Sequence, residues 1–268
     1  MSSNAAAKAR SDLPVRTAAA LVMVVIAVAA IYLGGWPFRI LVAVAAGLML
    51  IEFCDMHKLR RIWPIVALPI LAVNLWFLPW IMSSLADLTG GLFPAAPTGL
   101  LHTAAIALLL GLLARSARLV QGYLYIAIPS LALLMLNDIS WQAVFWAMVV
   151  TWATDIFAYF AGRSIGGPKL APKISPNKTW AGLVGGMAGA GVLGGLVAWL
   201  LGLPALFLFS GAPMGLLAQI GDLYESSMKR KAGVKDSGTI LPGHGGVLDR
   251  LDGLLPVAVA TLLLALAV

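Results

Sequence analysis

Along the 268-residue chain, long apolar runs alternate with short clusters of charge, proline and glycine. Cutting at those clusters leaves apolar stretches at Thr17 to Gly34, Phe38 to Cys54, Ile62 to Ala86, Gly99 to Ala114, Leu119 to Leu136, Trp141 to Gly162, Ala181 to Gly202, Pro204 to Glu225 and Asp252 to Val268. A bilayer core about 30 Å thick needs roughly 20 apolar residues per helix. The pattern therefore predicts an all-α, polytopic membrane bundle of about nine transmembrane helices. Three regions follow: a tail over 1–16, helices over 17–136, and a C-terminal region over 137–268 that carries two polar loops at 163–180 and 226–252.

Charge gives the bundle a side. With a cytoplasmic N-terminus, the alternation of spans puts 17 of the 18 Lys and Arg residues on the cytoplasmic face and leaves Arg39 outside. Basic residues concentrate in cytoplasmic loops, so the expectation is N-terminus in and C-terminus out. Composition agrees, because 11% charged residues fall far short of the ~25% of a soluble domain. Disorder, a secreted disulfide scaffold and a nucleic-acid-binding domain are excluded on the same grounds. One cysteine, Cys54, makes neither a disulfide nor a thiolate cluster. The net charge of +7 then reads as attraction of the loops to anionic lipid.

The first five spans carry little chemistry. Glu52, Asp55 and His57 at the end of the second read as an interfacial anchor, and Asn74 in the third as an interhelical hydrogen bond. The second half differs, because Asp155, Asp222 and Glu225 lie within spans, where carboxylates are costly and usually face a cavity or a partner. Asp155 is eight residues before Arg163, and Asp222 seven before Lys229. At 1.5 Å per helical residue both acids sit at about the same depth, ~10 Å below the basic loops. Asp222 and Glu225 share one helix face, while Thr151, Asp155 and Tyr159 share another.

The loop at 163–180 holds Arg163, Lys169, Lys173, Ser175, Asn177 and Lys178 among glycines and prolines that preclude a continuous helix. Such a loop can wrap phosphates or anchor on lipid headgroups; no GxxxxGK[ST] is present. The segment 226–252 compresses Lys229, Arg230, Lys231, Lys235 and Arg250 with Asp236, Asp249, Asp252 and His244, and its Gly243-His244-Gly245-Gly246 could offer backbone N–H groups to phosphate oxygens. Asp249 or Asp252 can cap the last helix. The second acid asks for another role, and acids beside many bases suit a magnesium–nucleotide site.

At these positions the sequence closely resembles the phosphatidate cytidylyltransferase family, also called CDP-diacylglycerol synthases. The family's C-terminal signature is matched without a gap from Ser226 to Asp252, through Lys229-Arg230, Lys235-Asp236, Pro242, His244-Gly245-Gly246, Asp249-Arg250 and Asp252. Upstream, Asp155, Ala158-Tyr159, Gly162-Arg163, Lys169-Leu170, Ile174-Ser175-Pro176 and Lys178-Thr179-Trp180 match as well. Ala181 stands where many relatives have Glu, so no role is carried over for that side chain.

The resemblance implies transfer of a cytidylyl group from CTP to phosphatidate, giving CDP-diacylglycerol and pyrophosphate, with Mg2+ or Mn2+. It further implies an integral protein of the bacterial inner membrane, a site facing the cytoplasm, and a homodimer. By resemblance Asp222 and Asp249 are metal ligands, with Asp252 as a weaker ligand. Lys229, Arg230, Lys235, Asp236, His244 and Arg250, together with Lys173, Ser175, Asn177 and Lys178, are then contacts to phosphate and nucleotide. His244 is either a phosphate donor or a general base. Two alternatives stand beside this reading. An ion-coupled transporter would use Asp155 and Asp222. A CDP-alcohol phosphotransferase would match the DxxDG of Asp249 to Gly253, but the later acids of that motif are missing.

Overall fold

The computed structural model describes the backbone of residues 13–88, 95–240 and 245–268. The order of elements is α1 (Leu13–Leu33), α2 (Gly35–Met56), α3 (Ile62–Leu88), α4 (Ala95–Ala114), α5 (Ala117–Ile139), α6 (Trp141–Ser164), β1 (Lys169–Ala171), β2 (Ser175–Thr179), α7 (Trp180–Leu200), α8 (Ala205–Ala232), α9 (Leu248–Leu251) and α10 (Leu254–Leu266). Each apolar stretch of the sequence coincides with one of the longer helices. Five of them, α2, α5, α6, α7 and α8, are long and apolar enough to cross a membrane, and α1, α3, α4 and α10 carry shorter apolar stretches. The outer surface is apolar too: Val192 is 72% exposed and Phe209 79%, as contact with lipid tails demands. The protein is an integral membrane helical bundle.

Local chemistry sets several boundaries. Ser116, Ser140 and Thr179 accept hydrogen bonds from the N–H groups of Leu119, Ala143 and Gly182, capping α5, α6 and α7. The end of α8 departs from expectation. The sequence pattern stops the span at Glu225, but the helix runs on to Ala232, so Ser226 to Lys231 are helical rather than loop. Lys229, Arg230 and Lys231 in the last turn favour the negative end of the helix dipole, and Gly233, at φ 75°, supplies the left-handed residue that ends it. The loop at 163–180 is likewise more ordered than its composition suggests. It forms an antiparallel hairpin pairing Lys169 with Thr179 and Ala171 with Ser175.

Packing differs between the halves. In the first, Asn74 Nδ2 donates to Tyr123 Oη at 3.1 Å and to Thr103 Oγ1 at 3.3 Å, the interhelical bond expected of it. In the second, α7 lies between α6 and α8 at distances only glycine permits. A Cβ at Gly182 would stand 2.9 Å from the carbonyl of Ala158, and one at Gly211 would stand 2.3 Å from that of Ala190. Trp146 locks the same layer by donating from Nε1 to the Gly194 carbonyl at 2.8 Å. The ends of α6 and α8 that carry Asp155 and Asp222 are thereby held side by side.

Candidate active site

Asp155 and Tyr159 of α6, Asn177 and Lys178 of β2, and Gln219 and Asp222 of α8 line one cavity of about 550 Å³, whose rim includes Arg163 and Gly162. The matching depth of the two acids is thus real proximity. Of the other residues expected on their faces, Tyr159 joins the cavity, but Thr151 is buried and donates to the Ala147 carbonyl at 2.9 Å. Glu225 turns away from Asp222, fully buried and paired with Lys229.

Lys178 is the cation of the cavity that pairs with an acid there. Its ammonium pairs with Asp222 and donates to Gln219 Oε1 at 2.9 Å, while Ser226 Oγ donates to the other Asp222 oxygen at 3.3 Å. Asp252 lies against α8 one residue before Asp222, where only the missing Cβ of Gly221 leaves room for its carbonyl. Its carboxylate accepts a hydrogen bond only from the adjacent Gly253 N–H at 2.7 Å among the bonds described, and α10 has no side-chain cap, so the capping role open to it in the sequence is not taken up. Arg250 is exposed.

A second ion cluster lies beside the first. Lys229 is buried between Glu225 and Asp249, at 2.6 Å from Asp249 Oδ1. Asp249 also accepts from the N–H groups of Gly246 at 2.8 Å and Ser237 at 3.0 Å. Burial alone would raise its titration, but the ammonium and the N–H groups outweigh it and hold Asp249 below the usual carboxylate range. Asp222 and Asp249 therefore stand in separate ion pairs, linked along α8 by Glu225 and Lys229. Among the described residues no three His, Cys, Asp or Glu side chains converge to hold a metal ion by themselves.

Other expected contacts spread around this pair of clusters. Arg230 clasps the hairpin to the end of α8, donating to the carbonyls of Ile174 at 3.2 Å and Val234 at 3.1 Å. Lys173, Asn177, Lys235 and Asp236 are exposed, and Ser175 is half-buried on β2. His244 lies outside the described residues. Two residues escaped the sequence reading. Gln219 orients Lys178, and its place one helical turn before Asp222 was the available signal. Glu52 is not an interfacial anchor: it is 2% exposed and bonded to the segment before α9.

The phosphatidate cytidylyltransferase of Brucella abortus biovar 1 (strain 9-941) is 49% identical over 151 residues, 53% of this chain and 54% of the relative. That of Bacillus subtilis (strain 168) is 48% identical over 115 residues, 42% of this chain and 43% of the relative. That of Helicobacter pylori (strain ATCC 700392 / 26695) is 43% identical over 145 residues, 53% and 54% of the two chains. The chain thus spans about half the length of the curated relatives it matches. The cytidylyltransferase family as a whole matches from residue 14 to residue 267, so the chain belongs to that family.

Proposed function

We propose that the protein transfers a cytidylyl group from CTP to phosphatidate, releasing pyrophosphate and CDP-diacylglycerol. The observation that carries the reading is the cavity in which Asp155 and Asp222 meet Lys178, Asn177 and Arg163 at one end of the bundle. Its volume of about 550 Å³ falls within the ~300–1,000 Å³ of small-molecule sites. The lipid phosphate is already anionic, so the attack of its oxygen on the α-phosphorus of CTP needs alignment and charge neutralisation more than a base. The new phosphoanhydride bond forms as the α–β bridging bond breaks and pyrophosphate leaves. Lys178 and Arg163 on the cavity wall are placed to bind phosphate oxygens.

The donor set fits a divalent ion. Asp155 and Asp222 bring hard carboxylate oxygens to the cavity wall, and magnesium held by one or two carboxylates is usually completed by substrate phosphates. Asp222 and Asp249 would hold it, with Asp252 in support, and Lys229 would pass from Asp249 to the phosphates as the nucleotide binds. When bound, such an ion draws charge off the phosphoryl oxygens.

The same reading supplies a topology of nine spans with the site on the cytoplasmic face. Arg39, the one base expected outside, pairs with Asp138 at 2.6 Å, some ~20 Å along α2 from Glu52. Purified protein supplied with phosphatidate, magnesium and each nucleoside triphosphate in turn should form a liponucleotide and pyrophosphate with CTP. Absence of CDP-diacylglycerol would sink the reading. Single cysteines at Ser175 and Ser237 should be labelled from the cytoplasmic side and one at Asp138 from the other; labelling of the first two from opposite faces overturns the topology.

A further inference from the structure

Glu52 sits at the end of α2, in the half of the chain that carries no part of the cavity, yet its carboxylate is almost wholly buried at 2% exposure. A buried carboxylate is costly unless hydrogen bonds replace its water. Here they do so from a distant segment: Oε1 accepts from Val247 N–H at 2.9 Å, and Oε2 accepts from Leu248 N–H at 2.9 Å and from Ser237 Oγ at 3.3 Å. The partners lie 185 to 196 residues away. Glycine makes room for the approach, since a Cβ at Gly246 would stand 2.6 Å from Oε2 and one at Gly238 would stand 2.8 Å from Oε1.

The same segment is held from its other side by Asp249, which takes the N–H groups of Ser237 and Gly246. Ser237 is thus gripped twice, by backbone and by hydroxyl. Glu52 takes the N–H groups of Val247 and Leu248 at the start of α9 and Asp249 those of Ser237 and Gly246, so neither can move without releasing the turn on which Asp249 itself is mounted.

We propose that Glu52 is a positioning residue for the reaction, fixing Ser237 and the turn 246–249 so that Asp249 and Lys229 face the nucleotide site. Its kinetic part rests on the cytidylyltransferase reading above. Glu52→Gln keeps the shape of the side chain but turns one accepting oxygen into a donor aimed at N–H groups. Relative to the wild type, kcat per folded molecule should fall and the half-activating magnesium concentration rise, each by about 10- to 100-fold, the size typical when support behind a metal ligand is removed. Gly246→Ala should give the same signature by pushing on Ser237 Oγ and on Oε2, and the two substitutions together should cost less than their separate effects combined.

A readout independent of turnover is labelling of Ile240→Cys, which replaces an exposed side chain, while the native Cys54 is buried. Its reaction with a maleimide should quicken severalfold when Glu52→Gln is added. Unchanged magnesium dependence and kcat in folded Glu52→Gln protein would leave Glu52 a mere anchor and overturn the proposal, as would an unchanged labelling rate. If Glu52→Gln does not fold, Gly246→Ala carries both measurements. Wild-type protein that makes no liponucleotide would instead count against the functional reading, with the labelling still deciding whether Glu52 holds the loop.

Discussion

The two halves of the bundle solve close packing in opposite ways. In the first half the tight glycines face side chains: a Cβ at Gly111 would strike Val120, and one at Gly122 the ring of Phe53. In the second half some, such as Gly185 and Gly189, also meet side chains, but Gly182, Gly186, Gly195, Gly211 and Gly221 stand against backbone, the carbonyls of Ala158, Thr154, Leu208, Ala190 and Asp252. Side chains can change rotamer to relieve a clash, whereas a packed helical backbone cannot. The first half is therefore an adaptable apolar support, and the second a rigid frame that fixes Asp155, Lys178 and Asp222 around their cavity. Polar groups follow the same division, as Asn74, Thr103 and Tyr123 satisfy one another, while the second half gathers acids and bases in excess of what stability requires.

The largest test of this contrast is Asp222→Asn, which keeps the packing of α8 but removes the charge beside Lys178. Turnover should drop by about 10²- to 10³-fold, the usual loss when a group acting on transition-state charge is removed, with the thermal midpoint in detergent nearly unchanged. Asp249→Asn should reduce turnover as severely but also loosen the loop, because an Asn amide cannot accept from both Gly246 and Ser237 N–H groups and Lys229 together. Wild-type rates for either would dissolve the functional half of the comparison.

Next in size are the glycines. Gly211→Ala should cost about 1–3 kcal/mol by overpacking against backbone, and Gly122→Ala less, since the Phe53 ring can shift. Thermal unfolding of the two variants in one detergent decides the order, and equal losses would erase the distinction. Asn74→Ala leaves Tyr123 and Thr103 without their buried partner. A loss of about 1 kcal/mol of stability is expected, with turnover per folded molecule intact; a matching fall in turnover would show that the supporting half takes part in the chemistry.

The smallest effect is in pH. His57, beyond the end of α2, titrates below its ordinary value because of burial first, against its bond to the Phe53 carbonyl, with Arg118 adding to the depression. The unfolded chain takes up that proton sooner, so stability present above about pH 6.5 declines as pH falls toward the folded-state value. Asp249 has the same sign in a lower window: its contribution is whole above the unfolded carboxylate value of about 4 and is lost as pH falls through its depressed folded value. Acid should thus weaken the first half around pH 6 and release the Asp249 loop only below about pH 4. Labelling of cysteines placed in the two regions would show the order, and simultaneous loosening would refute it.

Sequence alone was enough for the helices, because an apolar run of sufficient length must satisfy its own backbone in lipid whatever surrounds it. Side-chain caps at Ser116, Ser140 and Thr179, and the left-handed stop at Gly233, are equally local. The concentration of acids and bases after residue 150 was also plain in the chain, and it located the site region. Pairing was not. Six carboxylates and several bases of that region are chemically equivalent on paper, and only the glycine-permitted approach of α6, α7 and α8 decides that Lys178 meets Asp222 while Lys229 lies between Glu225 and Asp249. Glu52 was the least legible of all, since nothing near it in sequence distinguishes an acid at the membrane surface from one buried against a loop 185 residues away. That choice belongs to the packing of distant helices, which brings unsatisfied N–H groups to a carboxylate.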